Sequence, residues 1–162
     1  TSYIKTVGTA QTRVADTASG SGNSTVINST EGTLYFEGSA LADDGTNRYI
    51  SLSDGTTGNR VNIFFDSNNN LRGFYNGLSG SITISTDIKL NNKIAFKYKS
   101  GDCSFWLNGS EVATRTDTLS LSGLNSVAFD LAGGSDLYGK VKSLQVYTTA
   151  LSDAELQALT SN

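Results

Sequence analysis

Gly139-Lys-Val-Lys-Ser-Leu-Gln-Val-Tyr147, followed by Thr148-Thr-Ala-Leu-Ser152-Asp-Ala-Glu155-Leu-Gln-Ala-Leu159, decides how this chain folds. Leu144 and Val146 alternate with polar neighbours, the period-2 pattern of a strand with one face inside. Tyr147 closes that strand. Ser152 and Glu155 have the spacing of a capping box, in which each side chain satisfies a free amide at the start of a helix. Leu156 and Leu159 then share one helical face. A short helix of this kind, following a strand through a tight turn, is expected to pack its leucines back onto the body of a β protein.

The same alternation recurs upstream. Leu34 and Phe36 point inward in Thr33–Glu37, Ile50 and Leu52 in Arg48–Leu52, and Val61, Ile63 and Phe65 in Arg60–Phe65. Leu71–Tyr75 and Ser81–Ser85 are further strands. Lys93–Lys99 sets Ile94, Phe96 and Tyr98 against Ala95, Lys97 and Lys99. Cys103–Leu107 runs into Asn108-Gly109, a hairpin signal, and then Glu111–Arg115. Ser126–Leu131 supplies Val127, Phe129 and Leu131. Ser2–Thr6, Thr12–Ala15 and Thr25–Asn28 are weaker candidates, and Ser19–Ser24 reads as a long loop. Ten to thirteen short strands separated by turn residues predict an all-β, antiparallel two-sheet β-sandwich with a short C-terminal helix.

Composition bounds the function. The 162 residues suit one domain with one core, and the chain opens at Thr1, so 1–162 reads as a single domain cut from a longer protein. Proline is absent and glycine numbers 17, so Gly, Asn and Asp must shape the turns. A net charge of -3, with 12 scattered Lys and Arg, argues against nucleic acid. No apolar run is long enough for membrane insertion as a helix. The lone Cys103 has the parity of Phe105 and Leu107 and reads as a small buried hydrophobe, and without any histidine it lacks the usual base.

The closing strand and helix resemble the final segment of concanavalin A-like lectin/glucanase domains of the laminin-G type. Lys93–Val112 is similar to that family's central hairpin, in which a strand ends in an aromatic-aliphatic-Asn-Gly turn. Ser2-Tyr-Ile-Lys-Thr6, Thr12–Asp16 and Glu31–Glu37 resemble versions found in phage tail-fibre proteins, and similar modules occur beside polysaccharide-degrading enzymes. The resemblance implies a jelly roll that binds a polysaccharide or cell-surface glycan, in an extracellular or virion-associated setting. It also implies a structural calcium and, in a fibre, an oligomer.

Catalysis is not expected. A retaining glycosidase needs two carboxylates about 5 Å apart. The glutamates are Glu31, Glu37, Glu111 and Glu155, and none lies in a Glu-x-Asp-x-Glu motif. Glu31 and Glu37 are about 20 Å apart along a straight strand. The lack of histidine removes Ser-His-Asp and Cys-His catalysis. A lyase with tyrosine as base is compatible with composition, but Tyr98, between Lys97 and Lys99, has inward parity.

Sugar binding calls for aromatic faces and a few orienting polar groups. Aromatics with outward parity are Trp106, Tyr35, Tyr49 and Phe64, with Phe74 or Tyr75 a further choice beside Arg72 and Asn76. These are expected to stack on sugar rings, while Arg48, Arg60 and Asn62 hydrogen-bond hydroxyls. The alternative for each aromatic is cover for a sheet edge or contact with the terminal helix. Asp43–Asn47, Asp66–Asn70 and Asp130–Asp136 are oxygen-rich loops open to calcium or to ordinary turn chemistry. The expected function is a non-catalytic carbohydrate-binding module. The alternative is a structural or assembly domain of a tail fibre or adhesin.

Overall fold

Alternation along each segment is realised as strands with one apolar face, and the computed structural model describes residues 22–161. The strands are β1 (Glu31–Ala40), β2 (Arg48–Ser53), β3 (Arg60–Phe65), β4 (Leu71–Tyr75), β5 (Ile82–Ile84), β6 (Asn92–Lys99), β7 (Cys103–Leu107), β8 (Ser110–Arg115), β9 (Ser126–Ala128) and β10 (Gly139–Tyr147). The helix α1 spans Asp153–Thr160. All pairings between named strands are antiparallel, in two five-stranded sheets ordered β10-β1-β6-β7-β8 and β5-β4-β3-β2-β9. This is the expected two-sheet sandwich. The expected strand at Thr25–Asn28 is instead a turn, closed by the Val26 and Ile27 amides on the Asn23 carbonyl. The candidate strands Ser2–Thr6 and Thr12–Ala15 lie outside the described residues.

The core fills the gap between the sheets with the side chains that periodicity places there. Phe36 meets Phe65 edge-on at 6.5 Å, and Tyr75 stacks on Phe96 at 5.9 Å. Cys103 is buried beside them, and burial pushes its thiol up to about 12. Asn108 and Gly109 both take positive φ (49° and 84°), which closes the β7–β8 hairpin with the right-handed twist of the strands.

Gly73 marks a close approach between the sheets. It faces inward on β4, and a Cβ built there would lie 2.6 Å from Phe105 Cε2 and 3.3 Å from Phe96 Cε1. Both rings are locked in the core, so neither yields cheaply. Gly73→Ala is expected to destabilise by about 2 kcal/mol through overpacking. Urea unfolding checks this, and an unchanged midpoint would show that the sheets can separate there at little cost.

The capping box forms as the spacing requires. Ser152 Oγ accepts from the Glu155 amide, and the Glu155 carboxylate accepts from the Ser152 amide. The helix lies on the outer face of the β10-β1-β6-β7-β8 sheet. In one cross-strand row Tyr35, Ala95 and Trp106 stand side by side. Leu156 forms one buried cluster with this row, and Tyr147, Leu151 and Leu159 pack against it. The small Ala95 leaves the space that Leu156 fills. Polar contacts pin both helix ends: Lys97 Nζ reaches Asp102 at 2.8 Å and Asp153 at 3.4 Å, and the Gly109 amide donates to Thr160 Oγ1 at 3.2 Å.

Candidate functional site

The seven residues expected to contact a sugar divide among three places. Trp106 and Tyr35 point away from the core, as their parity requires, but α1 covers them. Trp106 is 7% exposed, with its Nε1 donating to Ser104 Oγ at 3.0 Å. They form a helix-docking surface and not a stacking platform. Arg48 shares the parity of Ile50 and Leu52 and therefore turns inward, 2% exposed. Its Nη2 meets Asp44 Oδ1 at 2.7 Å and its Nη1 donates to the Thr46 carbonyl at 2.9 Å. Arg48 and the Thr46 amide in turn hold the Asp44 carboxyl down to about 2. Arg48 is a buried structural charge with no access to a ligand.

The remaining four, Tyr49, Phe64, Arg60 and Asn62, come together on the outer face of the β5-β4-β3-β2-β9 sheet. Register places Tyr49, Phe64 and Arg72 in one cross-strand row and Ser51, Asn62 and Phe74 in the next. Tyr49 and Phe64 stack at 4.5 Å and 8°. Arg72 lies over the other side of Phe64 at 5.7 Å, and Arg60 lies over Phe74 at 4.6 Å. The result is a polar and aromatic patch on the sheet face. Its floor is Ser51, Asn62 and Phe64, all buried, and its rim is the half-buried Tyr49, Arg60, Arg72 and Phe74. Phe64 is sandwiched, so the aromatic faces left for a ligand are those of Tyr49 and Phe74.

The two arginines differ electrostatically. Arg72 Nη1 pairs with Asp66 Oδ2 at 3.1 Å. Arg60 has no carboxylate partner among the described residues. Burial pushes its guanidinium below the usual value, against a small opposing effect of Tyr49. A cation taken partly out of water without a counter-charge favours an incoming anion. Burial also pushes the Tyr49 hydroxyl up, which keeps it a neutral donor.

Ser51 was missing from the expected set, and Arg72 entered only as a neighbour of the further choice Phe74 or Tyr75. Ser51 has the parity of Tyr49, and Arg72 stands opposite Phe64 only once β3 and β4 are known to pair.

Asp66 does not fit a calcium ligand. Its Oδ1 accepts the Asn68 and Asn70 amides, both at 2.9 Å, and its Oδ2 is taken by Arg72. Among the described residues no three acidic or thiol side chains converge on a metal position. The oxygen-rich loop at Asp66–Asn70 is turn chemistry, with Asn69 at φ 60°.

Burial tends to raise the Asp66 carboxyl, but these amides and Arg72 outweigh it and the net shift is downward. A depressed folded value contributes stability above the ordinary carboxylate range, near pH ~3.9, and loses it as pH falls through the folded value. The stability gap between wild type and Asp66→Asn is therefore expected to be widest above pH about 4 and to shrink in more acid solution. Thermal unfolding across that range checks it, and a gap independent of pH would contradict the assignment.

Two clefts among the described residues lie away from this face. One, of about 430 Å³, is lined by Ser24, Asn28, Leu124 and Thr148. The other, of about 340 Å³, lies along α1 at Tyr147, Leu151 and Leu159. Between them they hold one aromatic and no cation. No described helix is long and apolar enough to cross a membrane.

The fold has clear counterparts among solved structures. The CBM40 of the Ruminococcus gnavus IT-sialidase bound to α2,3-sialyllactose superposes with a TM-score of 0.69 at 18% identity, covering 89% of this chain and 94% of that one. The leech intramolecular trans-sialidase gives 0.66 at 19% identity, over 90% of this chain and 26% of the enzyme. The NanB sialidase of Streptococcus pneumoniae gives 0.63 at 18%, over 84% and 25%. No curated protein sequence matches the chain. A sequence model of the concanavalin A-like lectin/glucanases superfamily matches residues 8–157. With the two sheets, their register and the closing helix in place, the chain belongs to that superfamily.

Proposed function

We propose that this chain is a non-catalytic carbohydrate-binding module that takes an acidic glycan on the outer face of the β5-β4-β3-β2-β9 sheet. The observation that carries the reading is the pairing of Arg60, desolvated and without a carboxylate partner among the described residues, with the half-exposed rings of Tyr49 and Phe74. A sugar carboxylate would meet Arg60 in a two-pronged hydrogen bond, and the apolar face of a sugar ring would rest on Phe74 or Tyr49. Arg72, already offset by Asp66, would serve hydroxyls and not the anion.

The similar R. gnavus module with bound α2,3-sialyllactose supports an acidic sugar as the first ligand to try. The match to the sialidase chains takes in about a quarter of each, which supports a module working beside other domains of a longer protein. Among the described residues the carboxylate that meets this face, Asp66 through Arg72, is also committed to turn amides, which supports binding without hydrolysis. Such a module acts outside the cell or on a virion, as a targeting domain or as the tip of a fibre.

Calorimetry with α2,3-sialyllactose, alginate and the neutral glucan laminarin tests the reading. Binding to an acidic glycan that weakens as salt rises, with little binding to laminarin, is the expected result. No heat with any of the three would overturn it and turn attention to an assembly role, read by solution mass.

A further inference from the structure

We infer that Asn62 is a positioning residue, which aims the Arg60 guanidinium through a hydrogen-bond relay that ends on the Asp130 backbone. The inference rests on reading this face as an acidic-glycan site. Asn62 lies at the centre of the floor, 1% exposed, too deep to serve as a principal ligand contact. In the orientation that suits its neighbours, its Oδ1 accepts from Arg60 Nε at 3.1 Å. Its Nδ2 donates to Ser51 Oγ at 3.3 Å and to the Val61 carbonyl at 3.0 Å. Ser51 Oγ donates in turn to the Asp130 carbonyl at 2.5 Å.

Only a side-chain amide fills this place. It must accept from a cation on one side and donate to a hydroxyl and a carbonyl on the other. An aspartate of the same shape would cancel the Arg60 charge, and a leucine would leave the Arg60 Nε–H without its acceptor.

The consequence for recognition is geometric. Arg60 is gripped by Nε, the nitrogen nearest its stem, and its plane is laid across Phe74 at 4.6 Å. Neither terminal nitrogen has a hydrogen-bond partner among the described residues, which leaves both to a bidentate anion. An unrestrained arginine loses rotamer freedom when it grips a ligand, whereas one already held loses less. Arg72 has the opposite arrangement. A terminal nitrogen is spent on Asp66, and its buried Nε has no partner.

Two measurements test the relay, the first without any ligand. In the ¹⁵N-labelled protein the Arg60 Nε–H signal is expected to be protected from solvent exchange. Protection should be lost in Asn62→Ala and reduced in Ser51→Ala. The second is calorimetry with α2,3-sialyllactose and alginate on wild type, Asn62→Ala, Arg60→Ala and the double variant. Asn62→Ala is expected to weaken binding about tenfold. In the Arg60→Ala background it should add nothing, because Asn62 acts through Arg60.

An unprotected Arg60 Nε–H in wild type overturns the relay. So does an Asn62→Ala penalty that persists undiminished without Arg60, which would make Asn62 a ligand contact or a sheet support. If wild type binds and Arg60→Ala abolishes binding while Asn62→Ala does not matter, the glycan site stands and the positioning role falls. Failure of wild type to bind either probe overturns both. Should Asn62→Ala not fold by thermal unfolding, Ser51→Ala reads the same relay, with about a threefold loss expected. Unchanged binding and exchange in Ser51→Ala would then refute the relay.

Discussion

Trp106→Ala is expected to lower stability by about 3–5 kcal/mol and to leave glycan binding unchanged. The ring is the largest member of the cluster under α1, and Leu156 at its surface is fully buried. Removing the ring opens a cavity between helix and sheet that a single short helix cannot close. Ser104 Oγ also loses its indole donor. The inner core, built from Phe36, Phe96, Phe105 and their neighbours, is untouched, so the strands remain paired while α1 loosens. Urea unfolding followed by circular dichroism measures the loss, and amide exchange in Asp153–Thr160 locates it. Wild-type stability combined with lost binding would reverse the assignment and make Trp106 a ligand contact.

Arg60→Ala is expected to do the converse. Truncating one partner of a buried charge pair typically costs 2–5 kcal/mol in binding, so about a hundredfold loss of affinity for an acidic glycan is expected. Stability should change little, because Arg60 has no carboxylate partner among the described residues to leave behind. Its removal relieves a desolvated charge, at the cost of its contact with Phe74 and of the Asn62 hydrogen bond. Arg72→Ala is the control. It strands Asp66 and uncovers Phe64, so it should lower stability as well as affinity. Calorimetry at low and high salt, with thermal unfolding alongside, separates the two variants. An Arg60→Ala protein that binds as wild type would remove the anion from this face.

Strands and helix were legible because period 2 and the capping box are local signals, and each segment carried its own. Thr25–Asn28 failed because four residues with two apolar positions cannot separate a strand from a turn, and Asn23 closes the turn instead. The candidate site was legible only in part. Outward parity correctly set Tyr49, Phe64, Arg60 and Asn62 apart from the core, but parity does not say which sheet a strand joins. Trp106 and Tyr35 also point outward, yet β1 and β7 belong to the sheet that α1 covers. Leu156 and Leu159 announced that the helix would return to the body without saying to which face. Arg48 is a different case: its parity with Ile50 points inward, and the structure buries it there. The Asp66–Arg72 pair and the Ser51–Asn62–Arg60 relay depend on cross-strand register, which no single segment encodes.

A glycan on the proposed site would touch the β2-β3-β4 face and leave the helix-covered sheet alone. Chemical-shift mapping of the ¹⁵N-labelled protein with α2,3-sialyllactose tests it most directly. Perturbations are expected to concentrate at Tyr49, Asn62, Arg72 and Phe74, with the Arg60 side chain among the largest. Perturbations centred on Trp106, Tyr35 and α1 would contradict it, as would a titration that moves no signal.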